Sequence, residues 1–258
     1  MKLSKISAAI LAASFSQTAF ADTSNLDNIV VSANNMSQNI QSVTSQVNVI
    51  TREDIEQNQY QTLQQALQRV PGINLYNNGG PLQTTSIQMR GSSSGQVLVM
   101  IDGMSINDPS GFGANLNSIA LQDIERIEIV KGPQAGVWGA NAAAGVINII
   151  TTQARSGEQG QVNIELGSNN TKKLVAGLSG ANEQGDFAFS IANVNSDGFS
   201  TIVPVNGDAS DGENDSYSQT DFSFKLGVNL NKHHRLETFL KKSTTNTDYD
   251  SGFPINTN

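Results

Sequence analysis

Two folds in series are predicted by this sequence: a small α+β domain over residues 47–155, then the first about five antiparallel strands of a transmembrane β-barrel over residues 156–258. Three observations carry the prediction. The chain opens with a secretion signature. A helical run stopped by proline lies among strand-like runs in the first half. After Thr152 the text switches for good to alternating polar and apolar residues.

At the N-terminus, Lys2 and Lys5 precede an apolar, small-residue stretch from Ile6 to Phe20, and Ala19-Phe20-Ala21 fits a small-x-small cleavage site. The stretch is too short and too diluted with serine for a spanning helix, which needs about 20 apolar residues. Residues 1–21 therefore read as a signal peptide, with cleavage near Ala21. The net charge of −8, with no Lys/Arg cluster, argues against a nucleic-acid partner. Cysteine is absent, which excludes disulfides, thiolate metal sites and cysteine nucleophiles.

Residues 22–46 are polar with one apolar knot, Ile29-Val30-Val31. By local pattern the knot is either a strand that adds to another protein's sheet edge or the first strand of the following domain. Val47 to Ile50 reads as a strand. Thr51 follows as a helix N-cap, with Glu53 and Asp54 in the first turn. A second helical run places Leu63, Ala66, Leu67 and Val70 on one face, and Pro71 stops it. Ser86–Met89 and Val97–Ile101 read as short strands. Two Gly-rich polar loops follow the first helices, Tyr76–Thr85 and Met104–Asn117.

In the second half the apolar runs are Val162/Ile164/Leu166, Leu174/Ala176/Leu178, Phe187/Phe189/Ile191, Phe222 to Leu230 at period two, and Leu236/Thr238/Leu240. Runs of about ten residues joined by tight turns fit a membrane barrel; a water-soluble sandwich alternates in the same way. Five strands do not close a membrane barrel, for which about eight are needed, so an incomplete barrel is expected.

The stretch Ile124–Ile150, "IERIEIVKGPQAGVWGANAAAGVINII", closely resembles the plug domain of TonB-dependent outer-membrane receptors. The matching features are Lys131-Gly132-Pro133, Trp138-Gly139 and the strand Gly145–Ile150. Upstream, "RVPGINL" (69–75), "IQMRG" (87–91) and "VLVMIDGMSIN" (97–107) follow in that family's order, and "NIVVSA" (28–33) resembles its TonB box. The resemblance implies an energised receptor in the Gram-negative outer membrane. Its wall would face lipid, and Ile29, Val30, Val31, Ser32 and Ala33 would pair with periplasmic TonB. It further implies that Arg90 and the residue at Lys131 lock plug to barrel; relatives carry arginine at the second position, and lysine lacks the bidentate fork.

The two polar loops would face an external ligand through Tyr76, Asn77, Asn78, Gln83, Thr84, Asn107, Asp108, Ser110, Asn115 and Asn117. Their only charge is Asp108, which suits an amide-bearing bulky ligand better than an anionic chelate. The wording is nearest the vitamin B12 branch, so cobalamin is the expected ligand, with a ferric siderophore or haem as the alternative. An adhesin or signalling barrel is the competing class; a signalling relative would carry a folded domain before the TonB box. Asp208, Asp211, Glu213 and Asp215 could gather Ca²⁺, although their spacing is no EF-hand and a solvated acidic loop is the preferred reading. No other cofactor is expected. "GSSSG" (91–95) matches a nucleophile elbow around Ser93, but the two histidines, His233 and His234, sit together at a barrel turn, so enzymatic chemistry is not expected.

Overall fold

The computed structural model describes residues 30–31, 38–39, 46–77, 79, 82–152, 154, 157–200, 214–231 and 233–248. The predicted signal peptide, Ile29, Ser32, Ala33, Asn78, Asp208, Asp211 and Glu213 lie outside the described residues. Of the apolar knot, Val30–Val31 forms β1 and pairs antiparallel with β2, Gln38–Asn39, so its backbone bonds within this chain and not to the larger sheet that follows.

The α+β domain begins with β3, Gln46–Thr51. Thr51 ends the strand and starts α1, Arg52–Gln57, through a capping box: its hydroxyl accepts from the Asp54 amide (3.2 Å), and the Asp54 carboxylate accepts from the Thr51 amide (2.9 Å). Thr62 caps α2, Leu63–Gln68, in the same way, accepting from the Gln65 amide at 3.3 Å. This helix buries Leu63, Ala66 and Leu67, and Val70 beyond its end completes the predicted face. The chain then forms the hairpin β4 (Ile73–Asn77) and β5 (Thr85–Met89), followed by β6 (Val97–Ile101). The second polar loop is more structured than its composition predicts. It holds β7, Met104–Ser105, and a hairpin of β8, Asn107–Asp108, with β9, Gly113–Ala114.

β10, Ile124–Lys131, and β11, Gly145–Thr151, finish the domain, separated by the short helix α3, Ala135–Trp138. The sheet order is β3-β10-β11-β6-β7, with β11 antiparallel to β10 and parallel to β6. Every residue of β11 is buried, as expected of a central strand covered on both faces. Ile147 and Ile149 point into the main core with Ile127, Ile129 and the helix residues; Val146 points into a smaller cluster with Leu98, Met100 and Val130.

The second half forms one antiparallel sheet in sequence order: β12 (Gly157–Leu166), β13 (Lys172–Ala181), β14 (Gly185–Phe199), β15 (Asp215–Asn229) and β16 (Arg235–Thr247). Among the described residues β12 and β16 do not pair with each other, so the sheet is unclosed. Its polarity settles barrel against sandwich. The apolar residues are the exposed ones, Val162 at 73%, Ile164 at 68% and Leu240 at 56%, whereas Gln219 and Asp221 are buried against the first domain. A water-soluble sandwich would turn Val, Ile, Leu and Phe inward. This is the wall of a transmembrane barrel, lined on its inner face by the plug domain.

Gly145 begins β11 at φ +157°, and a methyl group added there would collide with Met89 Sδ and the Val130 carbonyl oxygen. Gly145→Ala is expected to destabilise the protein by about 1–3 kcal/mol. Denaturant unfolding of the detergent-solubilised protein, followed by the single Trp fluorescence, reads this as a lower midpoint.

Candidate functional site

The sheet's two ends differ. At one end the connections are short, residues 182–184 and 230–234; at the other lie residues 167–171 and the 15-residue connection 200–214. In membrane barrels, long loops mark the outer side. A cavity of about 490 Å³ opens on that side, between α2 and the inner face of β12–β15. Its walls are rich in carboxamides, including Gln61, Gln65, Gln68, Asn77, Asn193 and Gln219. The charges in its lining are Asp221 and the Glu165–Lys173 pair, whose members lie 3.3 Å apart.

Asn117 ties this region together. Its Oδ1 accepts from Gln64 Nε2, and its Nδ2 donates to the carbonyls of Leu82 (2.8 Å) and Gln83 (2.6 Å). Its own carbonyl accepts from Gln219 Nε2 of β15 at 3.1 Å. Gln83 in turn donates to the Asp248 carbonyl (2.6 Å) and to Thr247 Oγ1 (3.3 Å) at the end of β16. One buried amide thereby joins α2, both polar loops and the barrel wall.

The predicted ligand-facing residues fare differently. Asn77 and Asn117 line the cavity. Tyr76 and Thr84 are exposed beside it in the chain. Asn107 is committed to the fold, since its side chain donates to the Val97 carbonyl (2.9 Å) and accepts from the Val99 amide (2.7 Å). Asn115 Oδ1 accepts from the Asn117 amide at 3.0 Å. Asp108 and Ser110 bond each other on an exposed hairpin, and the Ser110 hydroxyl and amide hold the Asp108 carboxyl below the usual carboxylate range. The glutamines of α2 and Gln61 before its cap escaped the sequence reading, although Gln64, Gln65 and Gln68 lie at helical spacing and all four line the cavity.

Arg90 and Lys131 lie close together but bond within the plug. Arg90 Nη2 donates to Gln46 Oε1 (2.8 Å), and Lys131 Nζ donates to the Pro71 carbonyl (2.9 Å). Burial pulls the Lys131 ammonium below the ordinary lysine value, and the Arg90 charge adds to this. Plug-to-wall ion pairs come from other residues: Asp102 with Lys225 of β15 (3.3 Å) and Asp123 with Lys241 of β16 (3.8 Å). Among the described residues, no group of three His, Cys, Asp or Glu is arranged to hold a metal, and Asp215 is buried at the start of β15. Ser93 caps a single 3-10 turn, with its amide donating to Gln96 Oε1 at 3.3 Å.

Residues 39–146 match the family model of the TonB-dependent receptor plug domain. The chain is 40% identical over 147 residues to the vitamin B12 transporter BtuB of Vibrio vulnificus, covering 57% of this chain and 24% of that protein. To the BtuB of Photobacterium profundum it is 30% identical over 239 residues, covering 92% of this chain and 39% of that one. The crystal structure of the siderophore receptor PirA from Acinetobacter baumannii superposes with a TM-score of 0.66 at 23% identity, over 81% of this chain and 33% of PirA. That likeness concerns the fold alone. The chain thus spans well under half the length of the curated relatives it matches.

Asn117→Ala deletes the side chain that joins the two loops and leaves the Gln64 amide and two carbonyls to find new partners. The expected cost is about 1–3 kcal/mol, concentrated at the site. Limited proteolysis of the detergent-solubilised protein should show faster cleavage within residues 76–85, with the barrel strands unaffected.

Proposed function

From a chain that carries the plug domain of a TonB-dependent receptor and strands of its barrel, we infer an outer-membrane receptor that takes up a scarce, bulky ligand with energy delivered through TonB. The exposed apolar face of β12–β16 supports a lipid-facing wall, because Val, Ile and Leu at these exposures would be costly in water. Relatives described as transporters support uptake in place of adhesion or catalysis.

Cobalamin is the ligand this reading favours. The observation that carries it is the cavity at the long-loop end, whose polar lining is mainly carboxamide among apolar side chains, with one unbalanced charge, and that charge negative. Such a lining offers matched donors and acceptors to a ligand with many amide groups. An anionic ferric catecholate would meet no cationic surface there, since Lys173 is already paired. The relatives that match by sequence are named as vitamin B12 transporters; the siderophore receptor matches in fold at lower identity.

In this reading, Val30–Val31 is the segment that pairs with TonB. A strand held, among the described residues, by the two-residue ladder to Gln38–Asn39 can exchange that partner for another at small cost.

Two measurements test the proposal. Equilibrium binding to the detergent-solubilised protein should detect cyanocobalamin and not a ferric catecholate; binding of the catecholate alone reverses the ligand assignment. Val30→Pro removes a ladder donor. It is expected to abolish cellular uptake of radiolabelled cyanocobalamin while leaving the binding constant unchanged, and normal uptake would overturn the energised reading.

A further inference from the structure

Five charged side chains gather where the plug meets the inner face of the wall, and of these Asp221 alone also lines the cavity. Lys225 and Ser223 of β15, Lys241 and Ser243 of β16, and Ser190 of β14 face the plug, and the neighbouring Phe222, Leu226, Leu240 and Ile191 are exposed on the opposite face. From the plug, Asp102 and Asp123 meet them. Asp102 sits at φ +46°, a backbone region that non-glycine residues rarely adopt. That conformation places its carboxylate where Oδ1 accepts from the Thr151 amide (2.9 Å) and Oδ2 from the Thr151 hydroxyl (2.5 Å), with Lys225 Nζ at 3.3 Å. Asp123 is 6% exposed. Its Oδ1 accepts from the Ser190 hydroxyl, Lys241 Nζ lies 3.8 Å from its Oδ2, and its carbonyl accepts from the Thr152 amide at 2.7 Å. Asp221 of β15 is the remaining charge; it lies beside Lys241 and Asp123, accepts from Gln219 Nε2 (3.2 Å), and pairs across the ladder with Ser243.

The Asp102 carboxylate therefore meets Thr151, the last residue of the plug's central strand, and the Asp123 backbone carbonyl meets Thr152 just after it, a few residues before β12 begins, while the Asp123 carboxylate reaches across to Ser190 and Lys241 of the wall. We propose that Asp102–Lys225 and Asp123–Lys241 form a two-point ionic latch that holds the C-terminal end of the plug's central strand against the barrel wall. It is separate from the Arg90/Lys131 cluster, which lies at the opposite end of the same strands, where Lys131 pairs with Gly145. The plug is consequently fastened at the end where its chain enters the wall. Neither pair requires a ligand, and the latch stands whatever the protein transports.

Hydrogen–deuterium exchange of the full chain in detergent tests this. Asp102→Asn keeps an acceptor for Thr151 but removes the charge, and Lys225→Met keeps the aliphatic stem. Each is expected to speed exchange of the peptide covering residues 146–152 by about 10-fold, the scale of coupling between contacting groups. The β4–β5 hairpin should exchange as in the parent. The double variant should exchange no faster than the faster single variant, because one interaction cannot be lost twice. Asp123→Asn with Lys241→Met gives an independent cycle on the same peptide and serves if an Asp102 variant does not fold. Unchanged exchange in the single variants, multiplied effects in the doubles, or equal acceleration of every plug peptide would each overturn the latch.

Discussion

A barrel wall with its apolar face outward has to satisfy its polar face inward, and the rest of this structure follows from that requirement. The inner rows of β14–β16 carry Ser190, Gln219, Asp221, Lys225 and Lys241. Buried charges and amides left without partners would cost several kcal/mol in total. The plug supplies the counter-groups: carboxylates opposite the lysines, and the Asn117 carbonyl opposite Gln219. Plug and wall are therefore two halves of one polar interior, and neither half's sequence makes sense alone. The plug still keeps its own apolar core, so it is a folded domain whose surface is matched to the wall.

Within the plug, β11 bears that match. It lies between β10 and β6 and is covered on both faces, so each of its residues is constrained. Its first residue must be glycine to pass Met89 and the Val130 carbonyl. At its end the Thr151 amide donates to the Asp102 carboxylate, and just beyond it the Thr152 amide donates to the Asp123 carbonyl. The small-residue stretch before it, residues 139–145, lets the chain turn back tightly and pack against the neighbouring strand end; the Ala144 amide donates to the Gln96 carbonyl at 2.9 Å.

Much of this was legible in the sequence because it is local. Thr51 with Asp54 announces a helix start, Pro71 a helix end, and period-two alternation the wall strands. The direction of the alternation was not legible, because a sandwich and a membrane wall share one pattern; only burial separates them. Asn107 and Asn117 illustrate a second limit. Both are loop asparagines of the same appearance, yet one braces β6 and the other lines the cavity. Which of these a carboxamide does depends on partners 8 to 53 residues away, Val99 and Gln64 among them. Lys225 and Lys241 could have been placed, however. A lysine in register with polar residues on an apolar-out strand has to face the interior, where a carboxylate is the natural neighbour.

The same charge placement bears on recognition. Low on the wall the lysines are taken up by plug aspartates, and at the outer end Lys173 is taken up by Glu165. The polar groups that remain to meet a ligand are mostly amide and hydroxyl, set among apolar side chains such as Leu116, Ile119 and Phe199, and they discriminate by the arrangement of donors and acceptors and not by net charge. Retention of the plug and choice of ligand are thus assigned to different chemistry at different heights of the same seam. A change of Gln61, or of Gln65 or Gln68 on α2, alters the cavity lining without touching an ion pair. A change of Asp102 or Lys225 alters how firmly the plug is seated without touching the cavity lining. Receptors built on this fold could therefore diverge in ligand while their plugs stay fastened, because the two plug-to-wall ion pairs and the cavity lining share no residue, although Asp221 of the lining adjoins Lys241.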